Sequence, residues 1–181
     1  MGTAAKLITV AELLDRPEIA AGYEELRNGE IAFVEWPRYG RASLQNRIRS
    51  VLERVIGDTE IIRTGMPFRA RPEHELRRAD VGVVSVARSE AVGEEDFFPG
   101  SPEIVIEVEA PSNTAREFQE KEGLCLATGS IAFWVVYPEL RMVTVAVAEG
   151  GRTYRDGDEI ELRGFAGKRV AVSELLRPIR A

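Results

Sequence analysis

The chain has 181 residues, 44% hydrophobic and 30% charged, which suits a globular protein with one core. No apolar run approaches the ~20 residues of a membrane span, and the chain does not start like a signal peptide, so we expect a cytoplasmic protein without membrane segments. The net charge of −6 opposes nonspecific attraction to nucleic acid.

The first third of the chain carries signals for two helices and a hairpin. Residues 9–12, TVAE, form a capping box and predict a short helix over 10–15. Asn28 and Gly29, between two strand-like runs, predict a tight β-hairpin turn. Apolar side chains recur at helical spacing over 41–56, which predicts the first long helix.

The middle of the chain alternates between short apolar runs and charged stretches. We expect four strands there, at 61–63, 67–70, 80–86 and 103–110. A charged loop, RPEHELRRAD, should lead into the third of them. A second long helix should begin near Thr114 and end at Gly129, where a glycine can adopt a left-handed cap.

Further strands complete the predicted order of elements. They are expected at 131–137 and 142–148, before a turn at 155–159 and a last helix capped by Ser173. An apolar strand, a helix and another apolar strand in succession predict a crossover within a mixed sheet. We therefore expect an α/β (mixed α+β) fold with antiparallel additions, forming a single domain over residues 1–181.

Charged residues are grouped along the sequence. Arginines concentrate over 38–54 and 69–78, and Glu90 with residues 94–96 predicts an acidic loop. A basic face beside an acidic metal pocket fits this distribution, and so does a mixed solvated surface.

The chain has one cysteine and one histidine, which restricts its chemistry. Cys125 cannot form an intramolecular disulfide, and its apolar surroundings predict a buried structural thiol. With His74 as the sole histidine, a zinc site or a Ser-His-Asp triad is not expected. Catalysis, if present, must rely on carboxylates, lysine and water.

Two glutamates interrupt an apolar strand, PEIVIEVEA. Side chains alternate along a strand, so Val105, Glu107 and Glu109 should share one face. A half-exposed strand with its acids in water would explain them. Asp80, at the start of another apolar strand, favours a second explanation, because Mg²⁺ is commonly held by one or two carboxylates with waters and substrate phosphates.

Lys121 is the candidate partner of that pair. It lies on the second long helix, and a lysine beside a cation site can orient water and offset charge in the transition state. Taken alone, it would equally be an ordinary surface lysine.

Four motifs, YEELRNGEI, RRADVGVVS, GSPEIVIEVEAPSN and GLCLATGSIAFWVVYPE, occur in this order. Together they resemble the Uma family of "putative restriction endonucleases" in the PD-(D/E)XK nuclease superfamily, over roughly residues 23–147. The resemblance implies a restriction-endonuclease-like mixed sheet flanked by helices. It also implies a Mg²⁺- or Mn²⁺-dependent endonuclease acting on DNA.

The resemblance assigns roles to individual residues. Asp80 and Glu107 would bind the metal, the Val108 carbonyl would complete its shell, and Lys121 would be the catalytic lysine, moved from the strand to the next helix. Glu25 matches a family acid that would bind a second ion or the water attached to the first ion. Glu109 occupies the lysine position of the wider superfamily and would add a ligand or mark loss of catalysis.

Other positions depart from the family pattern, namely Ala79, Gln45, Ala110 and Tyr137. They fit tolerated packing changes in an active enzyme. Together with the negative net charge, they also fit a degenerate nuclease scaffold that acts as a nucleic-acid or protein interaction module and can form a homodimer.

Overall fold

The computed structural model describes residues 6–93, 97–165 and 167–177, so residues 94–96 of the predicted acidic loop lie outside the described residues. The helices are α1 (Val10–Leu14), α2 (Tyr39–Ile56), α3 (Val86–Glu90), α4 (Ala115–Ala127) and α5 (Val172–Leu175). The strands are β1 (Gly22–Arg27), β2 (Glu30–Glu35), β3 (Glu60–Arg71), β4 (Glu75–Ser85), β5 (Phe98–Pro99), β6 (Ile104–Val108), β7 (Ala132–Tyr137), β8 (Met142–Val147), β9 (Gly150–Arg155), β10 (Glu159–Glu161) and β11 (Arg169–Ala171).

Nine strands form one mixed sheet. Its main path runs β2-β1-β4-β6-β7-β8-β9, and β3 pairs with β4 and β5 beside it. Strands β6 and β7 are parallel and are joined through α4, so the predicted crossover is confirmed. The mixed α/β fold class is confirmed with it.

Helices cover both faces of the sheet. On one face, α2 and α5 pack on apolar side chains that include Ile104 and Ile106, while Val105 on the other face packs with Phe118 and Leu124 of α4. This division follows from the alternation of side chains along β6. Within the described ranges, no helix is both long and apolar enough to cross a membrane.

Local signals place the predicted ends of several elements correctly. Thr9 caps α1 in a capping box with Glu12, and Thr114 caps α4 in the same way with Glu117. The turn between β1 and β2 has positive φ at both central residues, 49° at Asn28 and 80° at Gly29, as a type I′ hairpin requires.

Three predictions about element boundaries are wrong. The strands expected at 61–63 and 67–70 are one strand, Glu60–Arg71, because pairing with β4 carries the chain through Gly65 and Pro67. The charged loop before Asp80 is mostly strand, since β4 begins at Glu75. The last helix starts after Ala171, so Ser173 lies inside it and is not its cap. Helix α3 and strands β5, β9, β10 and β11 were not predicted.

Cys125 lies on α4 with no exposed surface, as predicted. Burial raises the pKa of its thiol to about 12, so the folded protein holds almost no thiolate at pH 8. We expect a disulfide-exchange reagent to modify it slowly in the native protein and rapidly in urea. Because the folded thiol keeps its proton beyond the ordinary pKa of 9.0, its contribution to stability is complete below that pH and is lost as pH rises towards 12. Equal rates in native and unfolded protein would contradict this burial.

Candidate active site

The candidate site is built at an interruption along one edge of β4. Strand β3 pairs along the other edge for the whole length of β4. On the interrupted edge, β1 pairs only at Leu76, and β6 pairs only from Val81 to Val83. Residues 77–80 therefore have no paired strand there within the described chain, and their buried main-chain groups need other hydrogen-bond partners.

Side chains from β1, β6 and α4 supply those partners. The Arg78 amide donates to Glu25 Oε1 at 2.9 Å, and the Asp80 amide donates to Glu107 Oε1 at 3.4 Å. The Arg78 carbonyl accepts from Lys121 Nζ at 2.7 Å. The structure thus brings Glu25, Asp80, Glu107 and Lys121 together. Asp80 belongs to this stretch of β4, and the other three side chains form hydrogen bonds with its main chain.

Asp80 is held by three donors. Its Oδ2 accepts from the Arg41 guanidinium and from the Val108 amide, both at 2.7 Å. Its Oδ1 accepts from Gln45 Nε2 at 2.7 Å. Since Glu107 also accepts from the Asp80 amide, each acid reaches the main chain of the other strand, and the two carboxylates are neighbours.

Glu107 and Lys121 form a buried ion pair. Lys121 Nζ lies 2.9 Å from Glu107 Oε1, and the two residues are only 8% and 6% exposed. Burial raises the pKa of Glu107, partly opposed by Lys121 and reinforced by the charge of Asp80. Burial would lower the pKa of Lys121, but Glu107 and Glu25 outweigh it, so the net shift is upward and the ammonium keeps its charge. Glu107 therefore does not lie on a solvent-exposed face of the strand, and Lys121 is not a surface lysine.

Glu25 is surrounded by cations. Its Oε2 lies 3.1 Å from Arg27 and 3.6 Å from Arg77, and its Oε1 lies 3.8 Å from Lys121. Burial would raise its pKa, but Lys121, Arg77 and Arg27 together lower it. In this arrangement Glu25 fixes Lys121 and the β4 amide, a geometry that favours positioning over binding a second ion.

Arg77 is a central residue of the network that sequence reasoning did not single out. Its side chain is 1% exposed and contacts Glu75 at 3.0 Å, Glu120 on α4, and Glu25. Glu75 accepts in turn from the Asn28 amide at 2.9 Å. The charged sequence ELRRAD could be recognised as a buried strand only if Glu25 and Glu120 were already known to contact Arg77.

Val108 and Glu109 follow Glu107 at the end of β6. The Val108 amide donates to Asp80, and Val108 itself is 1% exposed. Glu109 lies just beyond the strand and lines the cavity described next. No contact in the described chain ties its carboxylate to Asp80 or Glu107, so its role as a ligand remains a prediction.

A cavity of about 690 Å³ opens over these residues. Asp80, Glu107 and Lys121 line it, together with side chains of the β2–α2 connection and of α2, among them Trp36, Arg38 and Arg41. Its size is within the usual range for small-molecule sites, so it accommodates a short piece of substrate and not a whole macromolecule.

The donor set suits a hard divalent cation held by few protein ligands. In the described residues, no three His, Cys, Asp or Glu side chains are grouped to hold a metal. Asp80 and Glu107 are two adjacent carboxylates, however, and Mg²⁺ usually takes one or two of these with water and phosphate oxygens. Repulsion between them, which contributes to the raised pKa of Glu107, would be relieved by a cation.

The arginines of α2 do not form a continuous basic face. Arg49 pairs with Glu53, and Arg54 pairs with Glu174, both at 2.8 Å. Arg38 and Arg41, near the beginning of the helix, line the cavity. Arginine side chains therefore reach the site, where acidic side chains line the same cavity, and the rest of α2 has the mixed surface that was the alternative prediction.

The four family departures lie at the site or in the core. Gln45 is more than a packing change, because its amide binds Asp80 directly. Ala79 is fully buried in the sheet, as a packing change would be. Tyr137 packs edge-on against Phe118, with ring centroids 6.5 Å apart, and Ala110 lines the cavity.

The mixed sheet flanked by helices defines a restriction-endonuclease-like fold. The chain belongs to the Uma2 family, described as "Putative restriction endonuclease", which matches residues 11–173 and confirms the resemblance. A crystal structure of a "putative nuclease belonging to DUF820" from Anabaena variabilis ATCC 29413 has the same fold, with a TM-score of 0.79 at 18% identity. The match covers 93% of this chain and 97% of that one. No curated protein matches the sequence.

Proposed function

We propose that this protein is a divalent-cation-dependent endonuclease that hydrolyses DNA phosphodiester bonds. The observation that carries the proposal is the interrupted edge of β4, where two strand carboxylates and a buried lysine meet in one cavity. Membership of the Uma2 family supports a nuclease, and the contacts of the site are consistent with phosphate chemistry.

Each side chain of the site has a part in this proposal. Asp80 and Glu107, with the Val108 carbonyl, would hold Mg²⁺ or Mn²⁺. The bound cation would polarise the phosphate and lower the pKa of its water. Lys121 would orient the attacking water and offset negative charge on the transition state, and Glu25 keeps the lysine in place. Arg41 lines the cavity beside Asp80, where its guanidinium can bind a phosphate oxygen.

The direct test is cleavage of supercoiled plasmid DNA with Mg²⁺, with Mn²⁺ and with EDTA. We expect nicking that needs the cation and falls by about 10²–10³-fold in Lys121→Met, as for loss of a group that stabilises developing charge. Lys6→Met, at a side chain 82% exposed, is the matched control and should cleave like the parent. Thermal melts verify that both variants are folded.

A folded parent that cleaves no DNA under any cation would overturn this proposal and favour the interaction module. Sedimentation of the purified protein tests the homodimer, which stays a prediction. We also propose a cytoplasmic location.

Glu109→Gln should have a small effect. The substitution removes one negative charge from the cavity but keeps shape and an oxygen acceptor, so we expect Mn²⁺ affinity to fall by less than about tenfold, which corresponds to roughly 1.4 kcal/mol. Isothermal titration measures the affinity. Loss of all Mn²⁺ binding would show that Glu109 is an essential ligand and that the site is more acidic than we propose.

A further inference from the structure

Trp36 is a half-exposed aromatic residue beside the site. It follows β2, and 47% of its surface is open to solvent. Its ring packs against Tyr23, at 5.1 Å between centroids with a tilt of 45°, and lies 5.5 Å from the Arg78 guanidinium. Arg78 also lies 4.6 Å from the Tyr23 ring, so the three side chains form one cluster.

This cluster is connected to the proposed catalytic residues. The Arg78 carbonyl binds Lys121 Nζ, and the Arg78 amide binds Glu25. Tyr23 and Trp36 line the same cavity as Lys121 and Asp80. Trp36 is therefore held at a fixed place on the wall of the cavity by residues that also fix the catalytic lysine.

Positive charge lies next to this aromatic surface. Arg38 is exposed and lines the cavity two residues after Trp36, and Arg41 lines it from the first turns of α2. An open aromatic ring beside cationic side chains is the combination that binds single-stranded nucleic acid, in which bases stack on the ring while the backbone follows the charge.

We propose that Trp36 stacks on an unpaired base and that the preferred substrate is single-stranded or locally unpaired DNA. Within a duplex both faces of each base are already stacked, so an intact duplex offers no face to Trp36. A cavity of about 690 Å³ also fits a short single strand better than a duplex. This inference rests on the proposed function and specifies the substrate of the same site.

Intrinsic fluorescence reports on the contact directly. The chain has two tryptophans, and Trp134 is only 1% exposed, so quenching by an added oligonucleotide would come from Trp36. The protein is titrated in EDTA, to prevent hydrolysis, with an unlabelled oligothymidylate of roughly 16 nucleotides and with the matching duplex. We expect the single strand to quench the emission and the duplex to leave it almost unchanged.

Anisotropy with labelled versions of the same oligonucleotides measures affinity in variants. Trp36→Leu should lose about 5- to 100-fold in affinity for the single strand and none for the duplex, whereas Trp36→Phe keeps a ring and should retain most single-strand binding. Tyr39→Leu is the control, because Tyr39 is 84% exposed but does not line the cavity.

The outcomes separate the two proposals. Single-strand binding by Trp36→Leu equal to that of the parent would overturn the inference, even if the parent cleaves DNA. An equal loss for duplex and single strand would also overturn it, because stacking on unpaired bases predicts a selective loss. A selective loss in a protein that cleaves nothing would support the stacking of Trp36 on unpaired bases and refute both the nuclease and its substrate preference. Failure of the parent to bind either oligonucleotide would overturn the inference and leave a protein partner as the occupant of this surface.

Discussion

Replacing Glu107 with glutamine should abolish the stabilisation of the fold by Mn²⁺ and, with it, cation-dependent cleavage of DNA. Glutamine keeps an acceptor for Lys121 Nζ and the Asp80 amide, so the local contacts can persist. It removes one of the two carboxylates that would hold the cation. The parent should gain ~2.7 kcal/mol at a hundredfold excess of Mn²⁺ over its dissociation constant, and the variant should gain nothing measurable.

Thermal melts with and without Mn²⁺ make this comparison, and Glu103→Gln is the matched control. Glu103 precedes the same strand but contacts Arg88 and the Ser85 amide, away from the interrupted edge. Its substitution should leave the response to Mn²⁺ intact. Glu107→Ala should behave like Glu107→Gln towards the cation. Equal binding of Mn²⁺ by the parent, Glu107→Gln and Glu107→Ala would contradict a metal site on this strand.

Arg77→Met should destabilise the protein by about 3–5 kcal/mol, the usual cost of removing one partner from a buried ion pair. Arg77 is almost completely buried, and its loss removes the cation that pairs with Glu75 and one of the cations around Glu25. Both acids are 3% exposed or less, so water cannot compensate for the missing charge. Equilibrium unfolding in urea measures the change in the free energy of unfolding.

The control for Arg77 is Arg49→Met. Arg49 forms an exposed i,i+4 pair with Glu53 on α2, with both side chains 44% exposed. Such pairs contribute about 0.3–0.5 kcal/mol, and this substitution should cost no more. If the two arginine variants were equally stable, the polar network behind the site would have no structural role.

The sequence predicts elements well where the determinants are local. Capping boxes at Thr9 and Thr114, the Asn28-Gly29 turn and the helical spacing over 41–56 each depend on residues close in the chain. Alternation along β6 also divides Ile104 and Ile106 from Val105 correctly, because strand periodicity is intrinsic to the backbone.

The errors arise where distant residues decide the outcome. Charged Glu75 and Arg77 indicate a loop by composition, yet they are strand residues because Glu25 and Glu120 provide partners from other elements. Gly65 and Pro67 indicate a break, but pairing with β4 maintains one strand. Tertiary context overrides local propensity in both cases.

The same distinction applies to the site. Asp80, Glu107 and Lys121 could be chosen from the sequence because acids in apolar strands and a lysine in a recognisable motif are conspicuous. The interruption of the β4 edge could not be predicted, since it depends on where β1 and β6 pair along β4. For the same reason, nothing in the sequence linked Arg41 and Gln45 to Asp80, although both donate hydrogen bonds to its carboxylate.

We propose that the interrupted edge of β4 binds a divalent cation between Asp80 and Glu107. Anomalous diffraction from a crystal soaked in Mn²⁺ tests this most directly, because it locates the ion without any assumption about activity. We expect one peak within coordination distance, about 2.0–2.6 Å, of both carboxylates and of the Val108 carbonyl. Saturating Mn²⁺ with no peak there, or with a peak bound only by other residues, would contradict it.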